Sequence, residues 1–130
     1  MRRRLLLSMM GSQVTDDIPI GVNLIDWGKV ELNCWLNEQG KVVSYNGWFV
    51  SDYIEISPAH TYEYQKAAAY WSSIKFFNAD RESIGSFSDD TYQITADPLK
   101  LDPDDIPANA KYIRFTGATD QKTVYFKRIS

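Results

Sequence analysis

Cysteine and histidine each occur once, as Cys34 and His60, and this limits the chemistry open to the chain. A nucleophilic pair would need the two side chains to meet, with a third group orienting the imidazole. Cys34 lies in Leu32-Asn33-Cys34-Trp35-Leu36, apolar surroundings that favour an inert buried thiol. His60 follows Pro58 in a turn, where local backbone satisfies it. Zinc needs three or four Cys, His or carboxylate ligands, and the chain offers one Cys and one His. Asp102-Pro103-Asp104-Asp105 carries hard oxygen ligands suited to a structural Ca²⁺. It lacks EF-hand spacing, so the preferred reading of Asp102, Asp104 and Asp105 is a solvated acidic loop stiffened by Pro98, Pro103 and Pro107. A glycosidase needs two carboxylates facing across a cleft. Asp52, Glu55 and Glu63 fall on expected strands, where such groups ordinarily face solvent. No catalytic residue is expected, and no cofactor beyond that Ca²⁺.

Aromatic residues carry the sharper idea. Four Trp, eight Tyr and six Phe make up 14% of the chain, too many for every ring to be core. Exposed rings stack on the apolar C–H faces of sugars, while Asp, Asn and Arg bond the hydroxyls. The candidate carbohydrate-binding set is Tyr70 and Trp71, an aromatic pair in a loop, with Asn78, Asp80 and Arg81 in a nearby turn. Trp27, Trp35, Tyr45 and Tyr92 also fall at or near turns. The alternative for each Trp is to plug an end of the fold, since Trp is highly buried on average. A second alternative is assembly, because aromatic residues and Arg are enriched at the centres of protein interfaces.

The elements that must position these residues have a period of two. Trp48–Ile56 is the clearest strand, with Trp48, Val50, Ile54 and Ile56 expected on one face and Phe49, Ser51, Tyr53 and Glu55 on the other. Tyr62 with Tyr64, Ile74 with Phe76, Ile113 with Phe115, and Val124 with Phe126 each pair in phase. Val22–Ile25, Lys41–Ser44 and Thr91–Thr95 are shorter strands. Tyr45-Asn46-Gly47 reads as a turn, Asn78-Ala79-Asp80-Arg81 as a hairpin turn, Ala67-Ala68-Ala69 as one helical turn, and Asp97–Pro107 as loop. About eight short strands separated by Gly, Pro, Asn and Asp predict an antiparallel β-sandwich or barrel. A parallel α/β fold is disfavoured by the lack of βαβ alternation.

At 130 residues the chain fits one domain, divided into an N-terminal arm and linker over 1–20 and a β domain over 21–130. The formal net charge of −3 gives no basic face for nucleic acid. The start, Met1–Met10, imitates a signal peptide. Its apolar run is broken by Ser8 and is shorter than the roughly 7–15 apolar residues of a working h-region, and no stretch is long enough for a membrane helix. The candidate partner-docking residues are Arg2, Arg3 and Arg4, whose charges suit an acidic partner, and Leu5, Leu6 and Leu7, which suit a groove. A homo-oligomer is the other expected assembly.

Asn23-Leu24-Ile25-Asp26, Trp48-Phe49-Val50-Ser51-Asp52-Tyr53-Ile54, Pro58 with Thr61-Tyr62-Glu63-Tyr64, Ile74-Lys75-Phe76-Phe77-Asn78-Ala79-Asp80 and Pro107-Ala108-Asn109-Ala110-Lys111-Tyr112-Ile113-Arg114 follow one another in order. In that order and spacing they resemble the galactose-binding-like jelly-roll modules of phage and prophage tail proteins, from Asn23 to Ser130. The resemblance implies a jelly-roll sandwich that binds carbohydrate or decorates a virion. It implies no single site, because function does not follow from fold. The resulting expectation is a non-enzymatic virion structural protein, whether capsid decoration, head-fibre or tail-associated subunit. It would be anchored to other virion proteins by its arm, with its outward domain on glycans. The alternatives are a free-standing bacterial carbohydrate-binding module, extracellular or on the cell surface, and a small glycan-active enzyme.

Overall fold

Alternation gives each strand one apolar row, and two sheets that face those rows toward each other bury them. The computed structural model describes residues 18–89, 93–94 and 96–130. Arg2, Arg3, Arg4, Leu5, Leu6, Leu7 and Tyr92 lie outside the described residues. The strands are β1 (Glu31–Leu36), β2 (Val42–Val50), β3 (Ile54–Glu55), β4 (Tyr62–Gln65), β5 (Ile74–Phe77), β6 (Ser83–Phe87), β7 (Leu99–Leu101), β8 (Tyr112–Ala118) and β9 (Tyr125–Arg128). They make two antiparallel sheets. The larger runs β1-β2-β8-β5-β6, with β3 also on β8, and the smaller runs β9-β4-β7. The protein is an all-β sandwich.

The core lies between the sheets. Phe49, Ile74, Phe76, Ile113 and Phe115 from the larger sheet meet Tyr62, Tyr64, Leu101, Val124 and Phe126. Phe115 contacts both Tyr64 and Phe126, with centroids 5.8 and 6.5 Å away. The in-phase pairs read from sequence at Tyr62/Tyr64, Ile74/Phe76, Ile113/Phe115 and Val124/Phe126 all belong to this core.

Trp48–Ile56 departs from the single expected strand. It is β2 and β3 with a break at Ser51–Tyr53, and the faces change phase across the break. Phe49 joins Ile54 and Ile56 in the core, whereas Val50 faces outward. Polar side chains make the break. Ser51 Oγ accepts from Phe115 N at 2.8 Å, replacing a ladder bond, and Asp52 Oδ1 accepts from Tyr53 N at 2.8 Å. Two further readings change. The Asp97–Pro107 loop contains β7, because Leu101 fills a fully buried place opposite Tyr62. Ala67–Ala69 forms bends rather than a helical turn, as expected of a run too short to nucleate a helix.

The outer face of the larger sheet is unusual in being polar and covered. Lys75, Arg114 and Thr116 are buried there beside a small cluster of Cys34, Leu36, Val50 and Phe77. The cover is the far half of the β1–β2 hairpin. Leu36 N donates to Thr116 Oγ1 at 3.1 Å, and Arg114 reaches Glu31 at 2.8 Å. At the tip, Gly40 has φ +76°, and a Cβ there would stand 2.6 Å from Ser83 Cβ on β6. Glycine is required both for the left-handed backbone and for the approach.

Candidate functional site

The hairpin that covers the outer face also builds the site. Leu32 pairs with Phe49, but Cys34 pairs with Ser44, so Asn33 alone opposes the whole stretch Tyr45–Trp48. Such an excess of residues on one strand must bulge and twist. Asn33 adopts φ 58°, which Asn tolerates better than most side chains. Its Oδ1 accepts from Gly47 N at 3.2 Å, and Thr119 N donates to Gly47 O at 2.9 Å. The bulge is thereby pinned at both strands and swings Tyr45 and Trp48 together.

Four rings then surround one groove of about 320 Å³, lined by Trp35, Tyr45, Trp48, Ala69 and Tyr70. Its size falls at the lower end of small-ligand sites. Trp35 and Trp48 are 6.4 Å apart at 90°, and Tyr45 and Trp48 are 5.3 Å apart at 90°. Tyr70 stands 5.9 Å from Trp35 at 78° and 5.4 Å from Trp48 at 66°. Tyr45 is 53% exposed; the other three rings are half-buried.

A polar triad fixes Tyr70. Its hydroxyl donates to Glu38 Oε2 at 3.0 Å, and Lys75 Nζ donates to the same oxygen at 3.0 Å and to the Tyr70 hydroxyl at 3.1 Å. Burial, opposed by Glu38, lowers the Lys75 pKa from its ordinary value. The bond from Lys75 leads in lowering that of Glu38, against desolvation. Burial first, then Glu38, raises that of the Tyr70 phenol. On the other side, Lys66 Nζ donates to Tyr70 O at 2.6 Å and pairs with Asp89 at 3.0 Å.

Of the residues expected to bind sugar, Tyr70 lines the groove and Trp71 beside it does not. Trp71 is 49% exposed, and its carbonyl accepts from Asp89 N. Asn78, Asp80 and Arg81 lie in the β5–β6 turn, at the far end of β5 from Tyr70. Asn78 Oδ1 organises that turn by accepting from Asp80 N and Glu82 N, both at 3.0 Å. Arg81 lays its guanidinium over Tyr53 and Tyr112, 4.6 and 5.3 Å from their centroids. The structure therefore does not bring this trio together with Tyr70. The sequence places Trp48 only on a strand face with Val50, Ile54 and Ile56, and it singles out neither Glu38 nor Lys75. Only Trp35 and Tyr45 carried a signal, their places near turns.

Cys34 belongs to the outer cluster, with its Sγ donating to Glu31 O at 3.3 Å and its thiol pKa pushed up by burial and then by Glu31. His60 is buried in the turn before β4, against Tyr62. Glu55 pairs with Lys111 at 2.9 Å, while Glu63 accepts from the Tyr125 hydroxyl at 2.8 Å. Asp102, Asp104 and Asp105 are exposed on a 3₁₀ turn, where Asp105 Oδ2 caps Asp102 N at 2.9 Å. Among the described residues no group of three or more His, Cys, Asp or Glu is placed to hold a metal ion, and no helix is long and apolar enough to cross a membrane. No protein-family model, curated protein or solved structure matches the chain.

Proposed function

We propose that this protein is a non-enzymatic binding and assembly domain of a phage virion, a galactose-binding-like jelly roll that displays its aromatic groove to glycans. The observation that carries the binding half is the convergence of Trp35, Tyr45, Trp48 and Tyr70 on one groove. Any one of these rings can give a sugar face its C–H contacts. Glu38 fixes the Tyr70 ring by accepting from its hydroxyl. The virion half rests on the resemblance of the strand motifs from Asn23 to Ser130 and on the basic, then apolar, start of the chain. Placement on the particle surface follows from the same resemblance.

A glycan array with the full chain and with Trp48→Ala tests the binding half. The expected result is a small set of glycans bound by the parent and lost in the variant. An array blank for the parent overturns the glycan reading. Deletion of residues 2–17, which spares the core residue Ile18, tests the assembly half: incorporation into particles should fall while glycan binding stays. A free-standing carbohydrate-binding module would show no particle association with or without those residues.

A further inference from the structure

The ring geometry says more about the ligand than that it has an apolar face. A pyranose offers broad C–H faces, so two rings that both stack on one sugar must be coplanar beneath it or parallel on opposite sides. The groove has neither arrangement. Trp35, Trp48 and Tyr70 stand at 90°, 78° and 66° to one another, as three walls meeting at a corner. A corner suits a group that presents the same surface in every direction. A trimethylammonium is such a group: its methyls point to all sides and share the positive charge, which aromatic faces attract within roughly 6 Å of the ring centroid.

Two of the three wall-to-wall distances agree with that picture. Two perpendicular walls, each a distance d from a common centre, have centroids d√2 apart. A cation about 4 to 4.5 Å from each ring, inside that reach, requires wall-to-wall distances of about 5.7 to 6.4 Å. The Trp35–Trp48 and Trp35–Tyr70 separations, 6.4 and 5.9 Å, fall in that range, and the Trp48–Tyr70 separation, 5.4 Å, is tighter. Tyr45, perpendicular to Trp48 and the most exposed of the four rings, stands as a further wall. Both lysines beside Tyr70 are neutralised: Lys75 Nζ, 5.2 Å from the Tyr70 centroid, is bonded to Glu38 at 3.0 Å, and Lys66 is paired with Asp89 at 3.0 Å. They therefore add little repulsion against an incoming charge.

The geometry points to a quaternary ammonium group of choline type as the ligand feature held between Trp35, Trp48 and Tyr70. This inference rests on the groove being the ligand site of the proposed function, and it names the substituent that the recognised glycan carries. A phosphocholine lipid head group has the same chemistry, so the test separates the two sources.

The full chain is titrated by calorimetry with choline, with its uncharged isostere 3,3-dimethylbutan-1-ol, and with methyl galactoside. Choline should bind, and the isostere should bind at least tenfold more weakly because shape alone remains. Trp48→Ala should abolish choline binding, and Trp48→Phe should retain part of it, with circular dichroism confirming that both variants fold. Equal binding of choline and the isostere overturns the inference, because it reduces the groove to an apolar cleft. Binding of the galactoside without choline overturns the inference and leaves the glycan reading standing. Binding of none overturns the inference, and the glycan array then decides the glycan reading. A choline-positive chain is then offered phosphocholine-bearing glycans and phosphatidylcholine vesicles. Capture by the glycans supports both statements. Capture by vesicles alone keeps the ammonium and removes the glycan.

Discussion

Two lysines flank Tyr70, and both are buried, with side chains 0% exposed for Lys66 and 1% for Lys75. Their partners differ. Asp89, paired with Lys66, is 3% exposed, and Glu38, paired with Lys75, is 59% exposed. A fully buried pair has lost the water of both charges, and removing one partner strands the other. A half-buried pair strands nothing when its lysine is removed, because the exposed carboxylate returns to water. The same ion-pair chemistry is therefore a structural lock on one side of the groove and an adjustable contact on the other.

The largest expected effect is on the lock. Lys66→Met should cost about 3–5 kcal/mol by urea denaturation, because Asp89 is left as a buried charge with the Tyr64 hydroxyl as a remaining donor. Lys66→Met combined with Asp89→Leu should recover most of that loss, since replacing both members of a buried pair is often neutral. A loss below about 1 kcal/mol in the single variant, the level of an exposed pair, would erase the contrast between the two lysines.

Next comes the turn that delivers Glu38. Gly40→Ala places a Cβ 2.6 Å from Ser83 Cβ at φ +76°. The left-handed backbone alone costs a non-glycine residue about 1–3 kcal/mol. The hairpin tip should lift from β6, and ligand affinity should drop with stability. Unchanged affinity in a destabilised variant would show that the tip does not hold Tyr70 through Glu38.

How much of this was legible before the structure depends on how local each cause is. Tyr62 and Tyr64, or Ile113 and Phe115, declare their face within a few residues, and the core follows. The break at Ser51–Tyr53 was hidden because Ser51 Oγ replaces a ladder bond through Phe115, far away in sequence. The groove was hidden more deeply. It needs the Asn33 backbone at φ 58°, the bulge at Tyr45–Trp48 and a tyrosine from the loop before β5. Asn46-Gly47 announced a turn there, but only pairing with Asn33 makes that turn a bulge inside β2. The reading that joined Tyr70 to Asn78, Asp80 and Arg81 treated neighbours in sequence as neighbours in space, and β5 holds them apart.

The contact side should respond weakly. Lys75→Met should change stability by less than about 1 kcal/mol, because the desolvation of a buried ammonium disappears together with its bonds. Ligand affinity should fall more than stability does, since the Tyr70 hydroxyl loses one of its two partners. A cost as large as that of Lys66→Met would make the two pairs equivalent despite the exposure of Glu38.

The smallest effect is the pH dependence of that contact. Glu38 is held below its ordinary value of 4.5, chiefly by the bond from Lys75. A carboxylate with a lowered folded pKa contributes stability that is fully present above the unfolded value and is lost as pH falls through the folded one. Lys75 is also lowered, by burial. For a lysine that sign means a cost at neutral pH, relieved as pH rises through the folded value toward 10.5. Wild type and Glu38→Gln should therefore differ slightly at pH 7 and converge below the ordinary carboxylate range. Added salt should narrow the pH 7 gap, because the carboxylate is in solvent. Denaturation midpoints of the two proteins from pH 3 to 7 measure it. A gap that does not narrow as pH falls would mean that Glu38 acts through packing rather than charge, and the adjustable side of the groove would lose its electrostatic basis.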